Sequence, residues 1–439
     1  MKISKRSLII LILNIIISPL LGGYNILGIS AINKLIYFTL PFIYFISFII
    51  DIIKNKKIKE LFKLNAFTIL IPLFILSLIL SIINGINFNF NVITNFIFYT
   101  YLVLFIYTIY FYNFTKKDLI NIFKSIITTI SIISILGILQ YIFKIDLIIN
   151  GIYKYPGAIG RITSLMSIST ILDKFLTLSL ILILYVCYKL KKFNYKLAII
   201  SIISIIALAL TYSRAGILCF YIGSFIFIIL FLLKKQLLNT ILVITLLITL
   251  YLIPGQNYLL SSTAYNANEM INEIWEKTNL EVLSPINNFV ANIFIIDGSN
   301  IKDDASLNSR DLYMKIAKEL IKEYPITGIG IGNYNYIFKN QNVNDYLKND
   351  IKLNEKYLYP HNQYYQFGAE TGLLGLISLL GILITITIIS IKKKNYIVII
   401  IFPLFLLMCT TESLFYVKDI AIYFIILYSL FMKEPLRKN

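Results

Sequence analysis

Apolar runs long enough to cross a bilayer recur from one end of this chain to the other, and that feature excludes ordinary soluble folds. A helix rises 1.5 Å per residue, so about 20 apolar residues traverse the roughly 30 Å hydrocarbon layer. Spans are predicted near residues 7–23, 33–51, 64–83, 92–112, 119–143, 166–188, 197–212, 215–233, 237–254, 372–391, 396–411 and 416–432. The predicted class is an all-α integral membrane protein with about 12 transmembrane helices and one long extracytoplasmic loop containing short helices. Residues 58% hydrophobic and only 14% charged agree, since soluble chains are closer to a quarter charged. The runs 197–212 and 215–233 are separated only by Ser213-Arg214 and are expected to form a tight hairpin.

Forty Lys+Arg against 22 Asp+Glu give a formal charge of +18. In a soluble chain that excess would suggest nucleic acid. Here the positive charge falls in short clusters between apolar runs, which sets membrane orientation instead, so no nucleic acid partner is expected. Lys2/Lys5/Arg6, Lys54 to Lys63, Lys116/Lys117, Lys189 to Lys196, Lys234/Lys235, Lys392 to Lys394 and Lys433/Arg437/Lys438 alternate onto one side. That side is expected to be cytoplasmic and to hold both termini, with membrane lipids around the spans. Residues 255–371 are then expected to be extracytoplasmic. The chain then divides into spans one to nine (1–254), a loop subdomain (255–371), and spans ten to twelve with a short tail (372–439).

The first basic residues followed by Ser7 to Leu21 imitate a secretory signal, but no small-x-small cleavage site follows closely, so a retained span is expected. Cys187, Cys219 and Cys409 lie in or at the end of apolar stretches, where a thiol acts as a small hydrophobe, and no redox chemistry is expected of them. The long loop is rich in Asn, Asp, Lys and Tyr and contains the only tryptophan, Trp275. Within it Leu312, Ile316, Leu320 and Ile321 repeat at helical spacing. Ser309 is the expected N-cap, Pro325 and Gly328 end the segment, and an amphipathic helix lying on the surface is predicted.

With the lysine clusters set aside, Arg161, Arg214, Arg310, His361, Glu370, Glu412 and Asp419 gather on the opposite side, where polar groups suggest a site. His361 is the sole histidine, so the usual multi-histidine zinc centre is excluded, and neither metal nor cofactor is expected. A single imidazole can accept a proton. It precedes an apolar stretch, and a helix N-terminus disfavours the imidazolium, leaving the neutral base. The alternative is a histidine bonded to a loop carbonyl. Arg214 lies between two apolar runs with no acid nearby in sequence. It needs an anion, either a phosphate ligand matching its fork or a distant carboxylate such as Glu412, unless it snorkels to the headgroups. Gly328-Ile329-Gly330-Ile331-Gly332 lacks the spacing of a dinucleotide or phosphate loop and points to a tight turn or close backbone approach. Glu370 either caps a helix start or orients a partner.

Taken in order, Ser213-Arg214-Ala215-Gly216, Arg310 through Pro325-Ile326-Thr327-Gly328-Ile329-Gly330-Ile331-Gly332-Asn333-Tyr334, and Pro360-His361-Asn362 leading to Glu370-Thr371-Gly372-Leu373-Leu374-Gly375 resemble the O-antigen ligase/polymerase family of bacterial envelope glycosyltransferases. The likeness covers roughly 200–430. In the first half it rests on hydropathy and on Gly160-Arg161-Ile162-Thr163-Ser164, and Ala215 stands where a glycine is common. The resemblance implies metal-independent, inverting transfer of a glycan from an undecaprenyl-diphosphate carrier to an acceptor glycan or glycolipid, at the outer face of a bacterial inner or plasma membrane, which is then the expected location. His361 would deprotonate the acceptor hydroxyl, while Arg214 and Arg310 would hold the diphosphate. Arg161, Glu370, Tyr364 and Glu412 would contact substrate. The competing class is a polysaccharide flippase or other secondary transporter, which commonly carries structural repeats and polar residues at the bilayer midplane.

Overall fold

The computed structural model describes residues 1–21, 30–143, 161–166, 168–191, 193–253, 305–340, 359–395 and 397–433. Within them the chain is helical, apart from one isolated bridge between Lys2 and Asn113. The helices are α1 (Lys5–Leu21), α2 (Ser30–Lys54), α3 (Ile58–Leu61), α4 (Ala66–Ile83), α5 (Phe90–Phe111), α6 (Lys116–Phe143), α7 (Ser169–Leu190), α8 (Tyr195–Leu210), α9 (Arg214–Leu233) and α10 (Leu237–Leu252). After a gap come α11 (Ala305–Glu323), α12 (Tyr334–Asn340), α13 (Gln363–Lys392), α14 (Val398–Thr411) and α15 (Lys418–Leu430). Each predicted span overlaps one helix. Six of them, α4, α5, α6, α7, α9 and α13, are long and apolar enough to cross a membrane. Most of the expected loop subdomain, including Trp275, and the end of the C-terminal tail lie outside the described residues.

Asparagine sets several helix starts. Asn65, Asn89, Asn194 and Asn362 each accept two amide hydrogens from the following turn, and Asn65 forms a capping box with Thr68. Burial then sorts the helices. Helix α7 is enclosed, with Ile171 to Tyr185 buried without interruption, and α15 is nearly as enclosed. Helix α9 keeps Phe227 and Phe231 inside while Phe225, Ile229 and Leu233 face outward, as a lipid-facing helix does.

The lysine-rich turns gather at one end. There Gln236 donates to the Tyr188 carbonyl, Tyr185 reaches Asn395, Asn395 reaches the Phe431 carbonyl, and Lys433 reaches the Tyr110 carbonyl at 2.8 Å. The starts of α7, α9, α13 and α15 and the end of α14 therefore lie at the opposite end. Helices α8 and α9 form the expected hairpin, turning through Thr211 to Ser213 with Tyr212 at φ 49°.

Two boundaries differ from the sequence reading. Helix α13 begins at Gln363 because Asn362 caps it, whereas the apolar run alone starts at Gly372. The helix breaks at Gly372 (φ 66°, ψ −175°), a conformation that glycine alone adopts readily. The freed backbone groups find partners in the preceding loop: Leu373 N donates to the Pro325 carbonyl, Ile329 N to Ala369 and Gly330 N to Glu370. A Cβ at Gly372 would overlap the Ile326 carbonyl, and one at Gly328 would overlap Glu370. The glycine run is thus a clasp around a broken helix, which is how irregular backbone is tolerated at membrane depth.

Helix α11 starts at Ala305, four positions before the expected Ser309 cap. It does not lie alone on a surface. Ile316, Ala317 and Leu320 pack with Ile329, Tyr334, Ile337 and Ala369 in a small second core, while Lys315, Lys318, Glu319 and Lys322 face outward.

Candidate active site

The strand of chain before α13 is stitched to the end of α14. Asn362 Nδ2 donates to the Thr410 carbonyl at 3.2 Å, the Phe415 amide donates to Gln363 Oε1 at 2.7 Å, and the Tyr364 hydroxyl donates to the Leu406 carbonyl at 2.9 Å. These bonds bring two residues far apart in sequence together: His361 Nδ1 lies 3.3 Å from Glu412 Oε1 and 3.4 Å from Oε2. The Glu412 side chain is fully enclosed, while that of His361 is 17% exposed. Facing an acceptor, Nδ1 carries the proton, so Nε2 holds the free lone pair in the neutral ring. His361 is itself held at φ 49°, a left-handed conformation costing roughly 1–3 kcal/mol outside glycine. The Tyr359 ring covers the imidazole at 4.1 Å and stacks in turn on Tyr416 at 5.8 Å.

Glu412 is well supplied with donors. Besides His361 it accepts the Thr170 hydroxyl at 2.9 Å and the Tyr359 hydroxyl. Burial opposes its ionisation, but the bond and charge of His361, with the charges of Lys174 and Arg310, outweigh that and hold the carboxyl at about 2. The Tyr359 hydroxyl is pushed far above its usual range by burial first and by the Glu412 charge second. Arg310, partly exposed on α11, acts electrostatically on both Glu412 and Tyr359 and so belongs to the same cluster.

Arg214 is the first residue of α9, partly exposed, and a helix N-terminus adds its own positive potential there. Arg161 is exposed in a segment fixed to the same corner. Ile162 N donates to the Leu210 carbonyl, and Gln140 Oε1 accepts from Thr163 N and Ser164 N. The two arginines therefore flank the end of α8. Glu370 is buried and accepts from the amides of Gly332 and Tyr334, capping α12. Tyr364 is engaged with Leu406 through its hydroxyl. The structure brings His361 onto Glu412 within the electrostatic reach of Arg310, sets Arg214 and Arg161 at a corner by the end of α8, and gives Glu370 and Tyr364 partners inside the protein.

Sequence reasoning missed Asp173 and Lys174. They form an ion pair at 3.1 Å inside α7, one turn below Thr170, with side chains 0% and 1% exposed. Adjacent charges inside an apolar run were the available signal, because ionisable groups at membrane depth are costly and kept for a reason. Asp173 also accepts the Gly216 amide at 3.1 Å and the Ser213 hydroxyl.

The model of the O-antigen ligase family matches residues 199–380. Over that stretch the chain is similar to the O-antigen ligase family. The match contains Ser213 to Gly216, Arg310, the glycine clasp, His361, Tyr364 and Glu370, and it excludes Arg161, Asp173, Lys174 and Glu412. No curated protein matches the chain. The match and the apolar helices together support a multi-pass membrane protein, and the likeness suggests a glycosyltransferase-like enzyme working in general on a lipid-linked glycan and an acceptor.

Proposed function

We propose that the protein transfers a glycan from an undecaprenyl-diphosphate carrier to an acceptor glycan or glycolipid, with inversion and without a metal ion, at the outer face of the bacterial inner or plasma membrane. The observation that carries this reading is the His361–Glu412 pair, with Arg310 beside it, at the end of the bundle opposite the lysine-rich turns. An excess of Lys in short loops favours the cytoplasm, which leaves the His361 end facing outward.

In this reading Nε2 of His361 takes the proton from the acceptor hydroxyl as its oxygen attacks the anomeric carbon. The bond from that carbon to the diphosphate oxygen breaks on the opposite side, the diphosphate leaves with the electron pair, and the configuration inverts. Glu412 fixes the ring through Nδ1 and balances the imidazolium that forms, as a buried carboxylate does for a catalytic histidine. Arg214 and Arg310, with the α9 N-terminus, neutralise the charge growing on the diphosphate, a task cationic forks perform well in a water-poor site. Arg161 adds a phosphate or glycan contact.

The test is purified protein in liposomes with a lipid-linked repeat unit and a glycan acceptor, followed by gel separation of products. Arg310→Ala and Arg214→Ala are each expected to lower kcat by about 10²–10³ while insertion is retained. EDTA is expected to leave the wild-type rate unchanged. Wild-type turnover by either variant, or loss of turnover in EDTA, would contradict the proposal.

A further inference from the structure

Helix α7 contains charges that neither the family match nor the proposed chemistry uses. We infer that Asp173 is a positioning residue: it holds the first turn of α9, and through that turn Arg214, in register with the His361–Glu412 pair. The inference rests on the reading of Arg214 given above.

The turn from Ser213 to Gly216 carries Arg214 between two residues that Asp173 grips. Ser213 is the N-cap of α9, yet its side chain makes no capping bond to its own helix and instead donates to Asp173. The Gly216 amide, one of the groups a helix leaves unpaired at its start, donates to the same Oδ2 at 3.1 Å. The cap of α9 therefore comes from another helix. Gly216 permits this approach, since a Cβ there would sit 2.7 Å from Asp173 Oδ2. Thr177, one turn further along α7, donates to the Gly216 carbonyl at 3.0 Å, so this residue is held at both backbone groups.

Lys174 lies 3.1 and 3.2 Å from the Asp173 carboxylate oxygens and balances its charge. The same face of α7 carries Thr170, whose hydroxyl bonds Glu412. One enclosed helix thus reaches the carboxylate partner of His361 through Thr170 and the residues flanking Arg214 through Asp173. The four-residue block around Arg214 acquires a physical explanation: serine to donate, arginine for the ligand, and glycine for clearance.

Removing a single member would leave a buried charge unpaired and threaten folding, so the test removes both. Asp173→Leu with Lys174→Met abolishes the grip and the charge in apolar residues of similar size. Asp173→Asn with Lys174→Met removes the charge but keeps an acceptor for Ser213 and Gly216. Both are purified as the full chain in liposomes and compared with wild type and Arg214→Ala for thermal unfolding, kcat and the KM of donor and acceptor.

The leucine variant is expected to unfold near the wild-type temperature and to lose about 10²-fold in kcat, as a misplacement near 1 Å does. The acceptor KM should be unchanged, and the asparagine variant should recover to within about fivefold of wild type. Adding the leucine variant's substitutions to Arg214→Ala should cost nothing further, because both act through one group. Full additivity of the two losses, or a leucine variant with wild-type kcat, would overturn the inference while leaving the proposed chemistry intact. Wild-type turnover by Arg214→Ala would overturn both.

Discussion

Each end of the bundle has a buried carboxylate, and their partners differ in one respect. At the lysine-rich end Asp51 accepts the Ser7 hydroxyl at 2.7 Å and the Tyr112 hydroxyl at 2.8 Å, with Arg6 at 3.5 Å. Those bonds clip α1, α2 and the end of α5 together, and no ring nitrogen is among these donors. At the other end Glu412 also collects two hydroxyls, from Thr170 and Tyr359, but its third partner is an imidazole whose second nitrogen is uncommitted to it. The same device, a carboxylate satisfied by donors from several helices, serves packing in one place and, in the proposed function, chemistry in the other.

The backbone shows a parallel contrast. Lys56, Lys191, Lys235 and Lys394 follow the ends of α2, α7, α9 and α13, all at φ between 52° and 62° and all exposed. That position usually takes glycine. A lysine there complements the negative helix end and keeps its charge in water. At the opposite end the described non-glycine residues with positive φ are Ser164, Tyr212 and His361; the first two lie within three positions of Arg161 and Arg214, and the third meets Glu412.

Substitutions at the two carboxylates should separate these roles. The largest effect is expected from Glu412→Ala, which leaves the positive charges around it without their anion. It should destabilise the protein by about 3–5 kcal/mol in thermal or denaturant unfolding and abolish transfer. Glu412→Gln keeps the shape and the hydroxyl partners, so it should insert normally yet lose about 10–100-fold in kcat, because the amide cannot balance the imidazolium. Asp51→Asn should cost about 1–3 kcal/mol of stability and leave kcat as in wild type, and a matching loss of kcat at Asp51 would erase the distinction between the ends.

Acid should weaken the site end by a predictable route. The Glu412 carboxyl is held at about 2 in the folded protein against an ordinary value of 4.5. A depressed carboxyl contributes stability that is complete above the unfolded value and lost as pH falls from about 4.5 toward 2. Unfolding followed across that window should show this loss in wild type and a shallower one in Glu412→Gln. Equal slopes would show that the pair does not hold the charge proposed for it. Smallest of all, Lys191→Gly or Lys235→Gly should change stability by no more than about 1 kcal/mol and activity not at all, since glycine suits the same backbone conformation.

The helices and their alternation were legible in the sequence because apolar length and lysine placement are local properties. The positions of His361 and Arg214 were legible as residues that an apolar environment would otherwise exclude. What the sequence concealed is pairing. Glu412 was expected to contact substrate, and its bond to His361 depends on Asn362 and Gln363 meeting the end of α14 more than 45 positions away, which no periodicity records. The start of α13 was hidden for a related reason. Residues 363 to 371 mix Gln, Tyr and Glu with apolar groups, so hydropathy began the span only at Gly372, where the helix breaks. The glycine run was legible as a tight turn, but its partner, the broken helix, was not. Asp173 and Lys174 were visible as charges and invisible as a pair reaching α9.

In the proposed chemistry Nε2 of His361 accepts the proton of the acceptor hydroxyl. The most direct measurement is the single-turnover rate of His361→Ala against wild type in liposomes, with a lipid-linked glycan donor, a glycan acceptor and EDTA present. Donor binding should be normal and transfer slowed by about 10²–10⁴ if Nε2 is that base. Transfer by the alanine variant at the wild-type rate would contradict it.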